Sequence, residues 1–145
     1  MTRDQIYAAL TSMRDQNPVA DLAFYASRDL SNTHWQPFLI AALQRNPVII
    51  QATQELDDLA LITMLQDLPN HSIYDGTRIA QPDEVWNFQR GDGLERAIAL
   101  ATCLRARHPE QEMKLTVKPD SATLQIGATV HTFPSHKGLQ HEITL

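Results

Sequence analysis

The chain has 145 residues, of which 43% are hydrophobic and 20% are charged, and its formal net charge is −5. This length and composition are typical of one soluble globular domain spanning residues 1–145, and they exclude a disordered chain. The net negative charge and the lack of any run of basic residues argue against nucleic acid or an anionic membrane as a partner.

The first half of the chain is predicted to be mainly helical. Apolar residues recur at helical spacing through residues 1–68. Asn17-Pro18 and Asn46-Pro47 interrupt this pattern, because proline cannot continue a helix. We therefore expect four helices in this half: residues 2–16, residues 21–30, a third from Thr33 or His34 to Asn46, and a long fourth from Pro47 to Leu68.

The second half begins with a loop at residues 69–81 and a short helix at residues 82–88, followed by a helix from Gly93 to His108. The spacing of apolar residues then changes from the helical period of 3.6 residues to the strand period of 2 in four segments, MKLTVK, ATLQI, TVHTF and HEITL. Gly127-Ala128 is typical of a tight hairpin between the second and third segments. The predicted fold class is α+β, with a helical N-terminal half and then a central helix packed on a small antiparallel sheet.

The central helix has the most strongly marked start in the chain, RGDGLERAIALATCL at residues 90–104. Asp92 is a good N-cap, and Glu95 three residues later completes a capping box. Gly93, the first helical residue, is a poor helix former. The pattern raises the question of why a glycine stands at this position.

Residues 79–107, roughly a fifth of the chain, resemble the nucleophile region of transglutaminase-like (papain-like) proteins. In that superfamily a short helical turn leads into Gly-Asp-Cys, and a Leu/Ala-rich helix ending in Leu-Arg-Ala follows. Gly91 and Asp92 match the first two motif residues, whereas Gly93 occupies the cysteine position. The matching residues outside this motif are Pro82, Asp83, Glu84, Glu95, Ala97, Leu100, Leu104, Arg105 and Ala106.

The resemblance implies that residues 79–145 form a helix-plus-sheet core, with a histidine on a strand that faces the start of the helix. His131, in the segment TVHTF, lies in such a strand. Glycine has no thiol for the helix dipole to activate. The resemblance therefore predicts a degenerate, non-catalytic domain with no catalytic residues, which binds a peptide, protein or small ligand in a cleft lined by Trp86, Asp92, Gly93 and His131. On this hypothesis the Cβ position of Gly93 faces a groove.

A second reading of the same residues stays open. Gly91 and Gly93 can serve only a tight connection from loop to helix, with Asp92 as an ordinary cap. Two further hypotheses for function also remain. A helical protein-protein interaction module would expose an apolar patch near Phe24, Trp35 and Phe38, and an enzyme with an unrecognised site would cluster groups with shifted pKa values.

The other reactive side chains indicate neither a metal site nor a cofactor. Cys103 lies beside Leu100 and Leu104 in the helix, which predicts a buried, inert thiol. The six histidines show no metal-binding spacing, and Asp57-Asp58 indicates a solvated helix face. No secretory signal or apolar run long enough for a membrane span occurs, so we expect a cytoplasmic protein.

Overall fold

The computed structural model describes Leu30 and residues 34–145. The helices predicted at residues 2–16 and 21–30 lie outside the described residues, apart from Leu30. The described part contains five α-helices followed by a four-stranded antiparallel sheet, which confirms the predicted α+β class. The helices are α1 Trp35–Gln44, α2 Pro47–Ala52, α3 Asp58–Asp67, α4 Pro82–Phe88 and α5 Gly93–Arg107, and the strands are β1 Met113–Lys118, β2 Ser121–Ile126, β3 Thr129–Pro134 and β4 His141–Thr144.

The long helix predicted from Pro47 to Leu68 is wrong, because the chain forms two helices there, α2 and α3. The Asp57 side chain accepts a hydrogen bond from the Ala60 N–H at 2.7 Å and so caps a new helix start. Asp58 forms an ion pair with Arg107 at 3.0 Å. These two aspartates therefore start a helix and tie it to the end of α5. Asp57 is exposed and the Asp58 side chain is 47% exposed, so the predicted solvated face is confirmed as well.

Helix α5 is the centre of the fold, as predicted. It contacts all four other described helices and strands β1, β2 and β3. Every residue from Gly93 to Leu104 is buried. Alanine residues at positions 97, 99 and 101 leave room for neighbours to approach the helix closely, so α5 can be covered on both sides.

The sheet lies against α5 with the strand order β3-β2-β1-β4. Gly127 has φ +57° in the β2–β3 turn, a conformation that glycine adopts without steric strain. The inner row of the sheet pairs Leu115 with Leu124, and Leu124 with His131. His131 thus lies on the sheet face that carries the core residues, on an edge strand, and it is partly exposed.

The core contains apolar side chains of the helices and of the inner sheet face, among them Phe38, Leu65, Leu100, Leu115 and Phe133. No helix within the described residues is long and apolar enough to cross a lipid bilayer.

Candidate functional site at the amino end of the central helix

The start of α5 is closed by a segment that follows β3. Asp92 caps the helix, accepting a hydrogen bond from the Leu94 N–H at 2.9 Å. The same carboxylate accepts from the Ser135 hydroxyl at 2.6 Å and from the His136 N–H at 2.7 Å. Asp92 is only 3% exposed. The positive end of the helix dipole is therefore neutralised by an aspartate of the same chain, and the site does not attract an anionic ligand.

Gly93 has no free space at the position of its missing side chain. A Cβ atom there would overlap the carbonyl oxygen of Pro134 and would lie 2.6 Å from the Pro134 carbonyl carbon and 2.9 Å from that of Phe133. The prediction that the Cβ position of Gly93 faces a groove is therefore wrong. The glycine allows β3 and α5 to approach each other until backbone meets backbone, a use of glycine that needs no positive φ.

Glu95 is the second carboxylate at the helix start, and it has no solvent exposure. Its side chain accepts hydrogen bonds from the Asp92 N–H at 2.8 Å, from the Ser72 hydroxyl at 2.8 Å, and from the Ala80 N–H. Burial raises the pKa of Glu95 above its ordinary value, and these hydrogen bonds oppose that change. Glu95 thus completes the capping box and also holds both ends of the loop at residues 72–80.

Arg96 lies fully inside the protein, 2% exposed. Its guanidinium donates to the Gly91 carbonyl at 3.0 Å and to the carbonyls of Leu65 and Gln66 at 3.2 and 3.1 Å. A fourth bond reaches the Asn70 side-chain oxygen at 3.0 Å. Two of these acceptors are carbonyls in the last turn of α3, so Arg96 caps the end of one helix from the start of another.

Lys137 supplies the second buried cation and is 7% exposed. Its ammonium group donates to the carbonyls of Tyr74 at 2.9 Å and Arg78 at 2.6 Å. Burial lowers the pKa of Lys137, whereas the nearby carboxylates of Glu95 and Asp92 oppose that change. Lys137 therefore fastens the loop at residues 74–78 to the segment that follows β3.

Together these side chains form a buried polar network of two carboxylates and two cations, Asp92, Glu95, Arg96 and Lys137. Neighbouring groups with shifted pKa values, as at Glu95 and Lys137, are what an unrecognised enzyme site would show. Each charged group here, however, is already hydrogen-bonded to backbone or side-chain groups of the same chain. The arrangement holds the loop at residues 69–81 in place, as expected for buried charges that need partners.

A small cleft opens to solvent beside this network, with a volume of about 180 Å³. We call it the polar cleft, and it is lined by Asn70, His71, Ser72, Tyr74, Asp75, Gly76, Asp92, His136 and Lys137. The volume is below the roughly 300–1,000 Å³ of usual small-molecule sites, and the lining is polar where those sites are mainly apolar. The polar cleft can therefore receive a group of about the size of one polar side chain.

Of the four residues predicted to line a cleft, the polar cleft contains one. Asp92 contributes to its lining, whereas Trp86, Gly93 and His131 do not. Trp86 is partly buried and packs against the core. Sequence reasoning missed Ser135, His136 and Lys137 as neighbours of Asp92. The run PSHKG follows the third strand in the sequence, but no local pattern of residues indicates that this segment returns to the start of α5.

Two further predictions have clear outcomes. Cys103 is buried, 1% exposed, with the Thr53 hydroxyl 3.7 Å from its sulfur, and burial raises the pKa of its thiol. The buried thiol is confirmed. Phe38 is 2% exposed and belongs to the core, so it cannot contribute to the exposed apolar patch that the interaction-module hypothesis predicts. Phe24 lies outside the described residues.

Within residues 34–145, no three His, Cys, Asp or Glu side chains are grouped so as to hold a metal ion. Comparisons of the chain with protein-family models, with curated proteins and with solved structures find no match.

Proposed function

We propose that this protein is a non-catalytic, transglutaminase-like domain that binds a peptide, with one polar side chain of the peptide in the polar cleft. The observation that carries the proposal is the polar cleft beside the start of α5, with the exposed side chains of His71 and His136 in its lining. The position that bears the nucleophile in the resembling superfamily has neither a reactive atom nor room for one, because Pro134 and Phe133 occupy the space. This packing supports the absence of a nucleophile at residue 93, and the resemblance itself is supported by the matching residues of 79–107 and by the helix-then-sheet order.

The surroundings of Gly93 support binding next to the helix start. The buried network holds the loop by hydrogen bonds on both sides of Asp75-Gly76, at Ser72 and Tyr74 before it and at Arg78 and Ala80 after it. The polar cleft is therefore largely formed before a partner arrives, which reduces the entropy lost on binding. The imidazoles of His71 and His136 lie on different segments of the chain, and both residues line the cleft. They can donate or accept hydrogen bonds, and the Asp75 carboxylate can accept them.

The size of the polar cleft favours a peptide over a free small molecule. A ligand confined to about 180 Å³ has few atoms with which to gain affinity. A peptide can place one side chain in the cleft and make its remaining contacts on the surface around it. The helix-then-sheet order of residues 82–144 agrees with what the resemblance implies for the core.

The test is a random peptide library displayed on phage and selected on the wild-type protein, with selected peptides titrated by fluorescence anisotropy. The substitutions His71→Ala and His136→Ala change exposed side chains of the cleft. Val130→Thr changes a side chain that is 54% exposed on the other face of the sheet and is the matched control.

We expect the cleft substitutions to weaken peptide binding about tenfold, equivalent to about 1.4 kcal/mol, and the control to leave it unchanged. Failure to select any peptide, or selected peptides that bind the histidine variants as tightly as the wild type, would overturn the proposal. Peptides whose binding maps to the helices instead would favour the interaction-module hypothesis.

A further inference from the structure

The chain contains the dipeptide Asp-Gly twice, at Asp75-Gly76 and at Asp92-Gly93. In such a pair the amide nitrogen of glycine can attack the aspartate side-chain carboxyl carbon, since glycine has no Cβ to obstruct the approach. A new N–C bond forms, one carboxyl oxygen leaves as water, and a five-membered succinimide results. Water then opens this ring at either carbonyl carbon, which gives back aspartate or leaves isoaspartate, with the main chain running through the side-chain carbon.

The two pairs lie in opposite environments. Asp75 and Gly76 are both exposed, and a Cβ added to Gly76 would meet no atom within 4 Å. The Asp75 carboxylate lies on the exposed side of the polar cleft, where the Lys137 ammonium group attracts it, and the exposed side chain can rotate toward the following nitrogen. Gly76 has φ +63° in a loop without regular secondary structure.

Asp92 is held in a geometry that prevents this attack. Its carboxylate oxygens accept from Leu94, Ser135 and His136, and Gly93 is the first residue of α5. Attack by the Gly93 nitrogen would require the carboxylate to leave these donors inside a buried site, where each unpaired donor is unfavourable.

From this contrast we propose that Asp75-Gly76 is a site of spontaneous, water-dependent isomerisation to isoaspartate in the folded protein, and that Asp92-Gly93 is protected by the fold. The reaction needs no reagent other than water.

Isomerisation at residue 75 has a specific structural consequence. Asp75 lines the polar cleft and lies between Tyr74 and Arg78, whose carbonyls both accept from the Lys137 ammonium group. Isoaspartate adds one main-chain carbon between these two acceptors and moves the carboxylate, so both bonds to Lys137 can no longer keep their present geometry. The modified form is expected to have a looser loop and an altered cleft.

The experiment is prolonged incubation of the native wild-type protein at physiological pH and temperature, with a parallel sample unfolded in urea. Trypsin separates the two pairs, because cleavage after Arg90 and Arg96 releases Asp92-Gly93 in the peptide GDGLER, whereas Asp75-Gly76 lies in the peptide ending at Arg78. Electron-transfer fragmentation in the mass spectrometer identifies isoaspartate at each position.

In the native sample we expect isoaspartate to accumulate at position 75 while position 92 stays at its starting level, and in urea we expect both positions to react. Asp75→Glu, which would need a less favourable six-membered ring, should stop accumulation at position 75. Native protein in which position 75 stays unmodified, or in which both positions react at the same rate, would overturn the proposal.

Discussion

Replacing Gly93 by alanine tests the close approach of α5 and β3. The added methyl group would meet backbone atoms of Pro134 and Phe133, which cannot rotate away as a side chain can. Overpacking of this kind costs typically 1–3 kcal/mol, and a backbone obstacle places the loss at about 3 kcal/mol. Alanine regains about 1 kcal/mol because it is a better helix residue than glycine. We therefore expect a net loss of about 2 kcal/mol in the free energy of unfolding.

The matched control for Gly93→Ala is Gly91→Ala. A Cβ at Gly91 would meet side-chain atoms, the Val85 methyl carbons at 3.2 and 3.4 Å, and these can shift. Urea unfolding followed by circular dichroism should show a clear loss for Gly93→Ala and a smaller one for Gly91→Ala. A Gly93→Ala protein as stable as the wild type would show that the position is open, and would restore the groove that the transglutaminase-like resemblance predicts there.

Three further predictions concern buried polar groups. Arg96→Met should lower the free energy of unfolding, measured in urea, by about 3 kcal/mol or more, because several buried acceptors lose their donor. Arg96→Lys should recover only part of the lost stability, and a methionine variant as stable as the wild type would contradict the prediction. Glu95 has a raised pKa when folded, so its contribution to stability is present below its ordinary value of 4.5 and is lost as pH rises through the raised value. Wild type should therefore gain stability relative to Glu95→Gln as pH falls through that interval, and a constant or shrinking difference in urea midpoints would contradict this. The Cys103 thiol should react slowly with iodoacetamide in the native protein and rapidly in urea, since it is buried and its pKa is raised; equal rates would refute the burial.

Local pattern predicted much of the fold. The change of period after residue 108 predicted all four strands, and Asp92 with Glu95 predicted the start of α5, because a capping box is formed within four residues. The break between α2 and α3 was missed because apolar spacing continues through residues 47–68, so only the capping role of Asp57 marks the second start.

The site itself could be predicted only in part. Asp92 meets Ser135 across 43 positions of sequence, and Lys137 meets Tyr74 across 63. No local periodicity encodes such contacts. At Gly93 the sequence allowed two opposite interpretations, an empty nucleophile position over a groove or a close backbone contact, since glycine suits both. Because the Pro134 carbonyl occupies the Cβ position of Gly93, the structure shows the close backbone contact between α5 and β3.

The amino end of α5 is closed by the chain itself. Amide hydrogen exchange in the native protein tests it most directly, because the N–H groups of Leu94 and His136 both donate to the Asp92 carboxylate. If the site is closed, both amides exchange only through rare opening and are protected to about the same degree as amides in the middle of α5. Exchange of Leu94 and His136 at the rate of unprotected peptide amides, with the middle of α5 still protected, would show an open site and contradict the account.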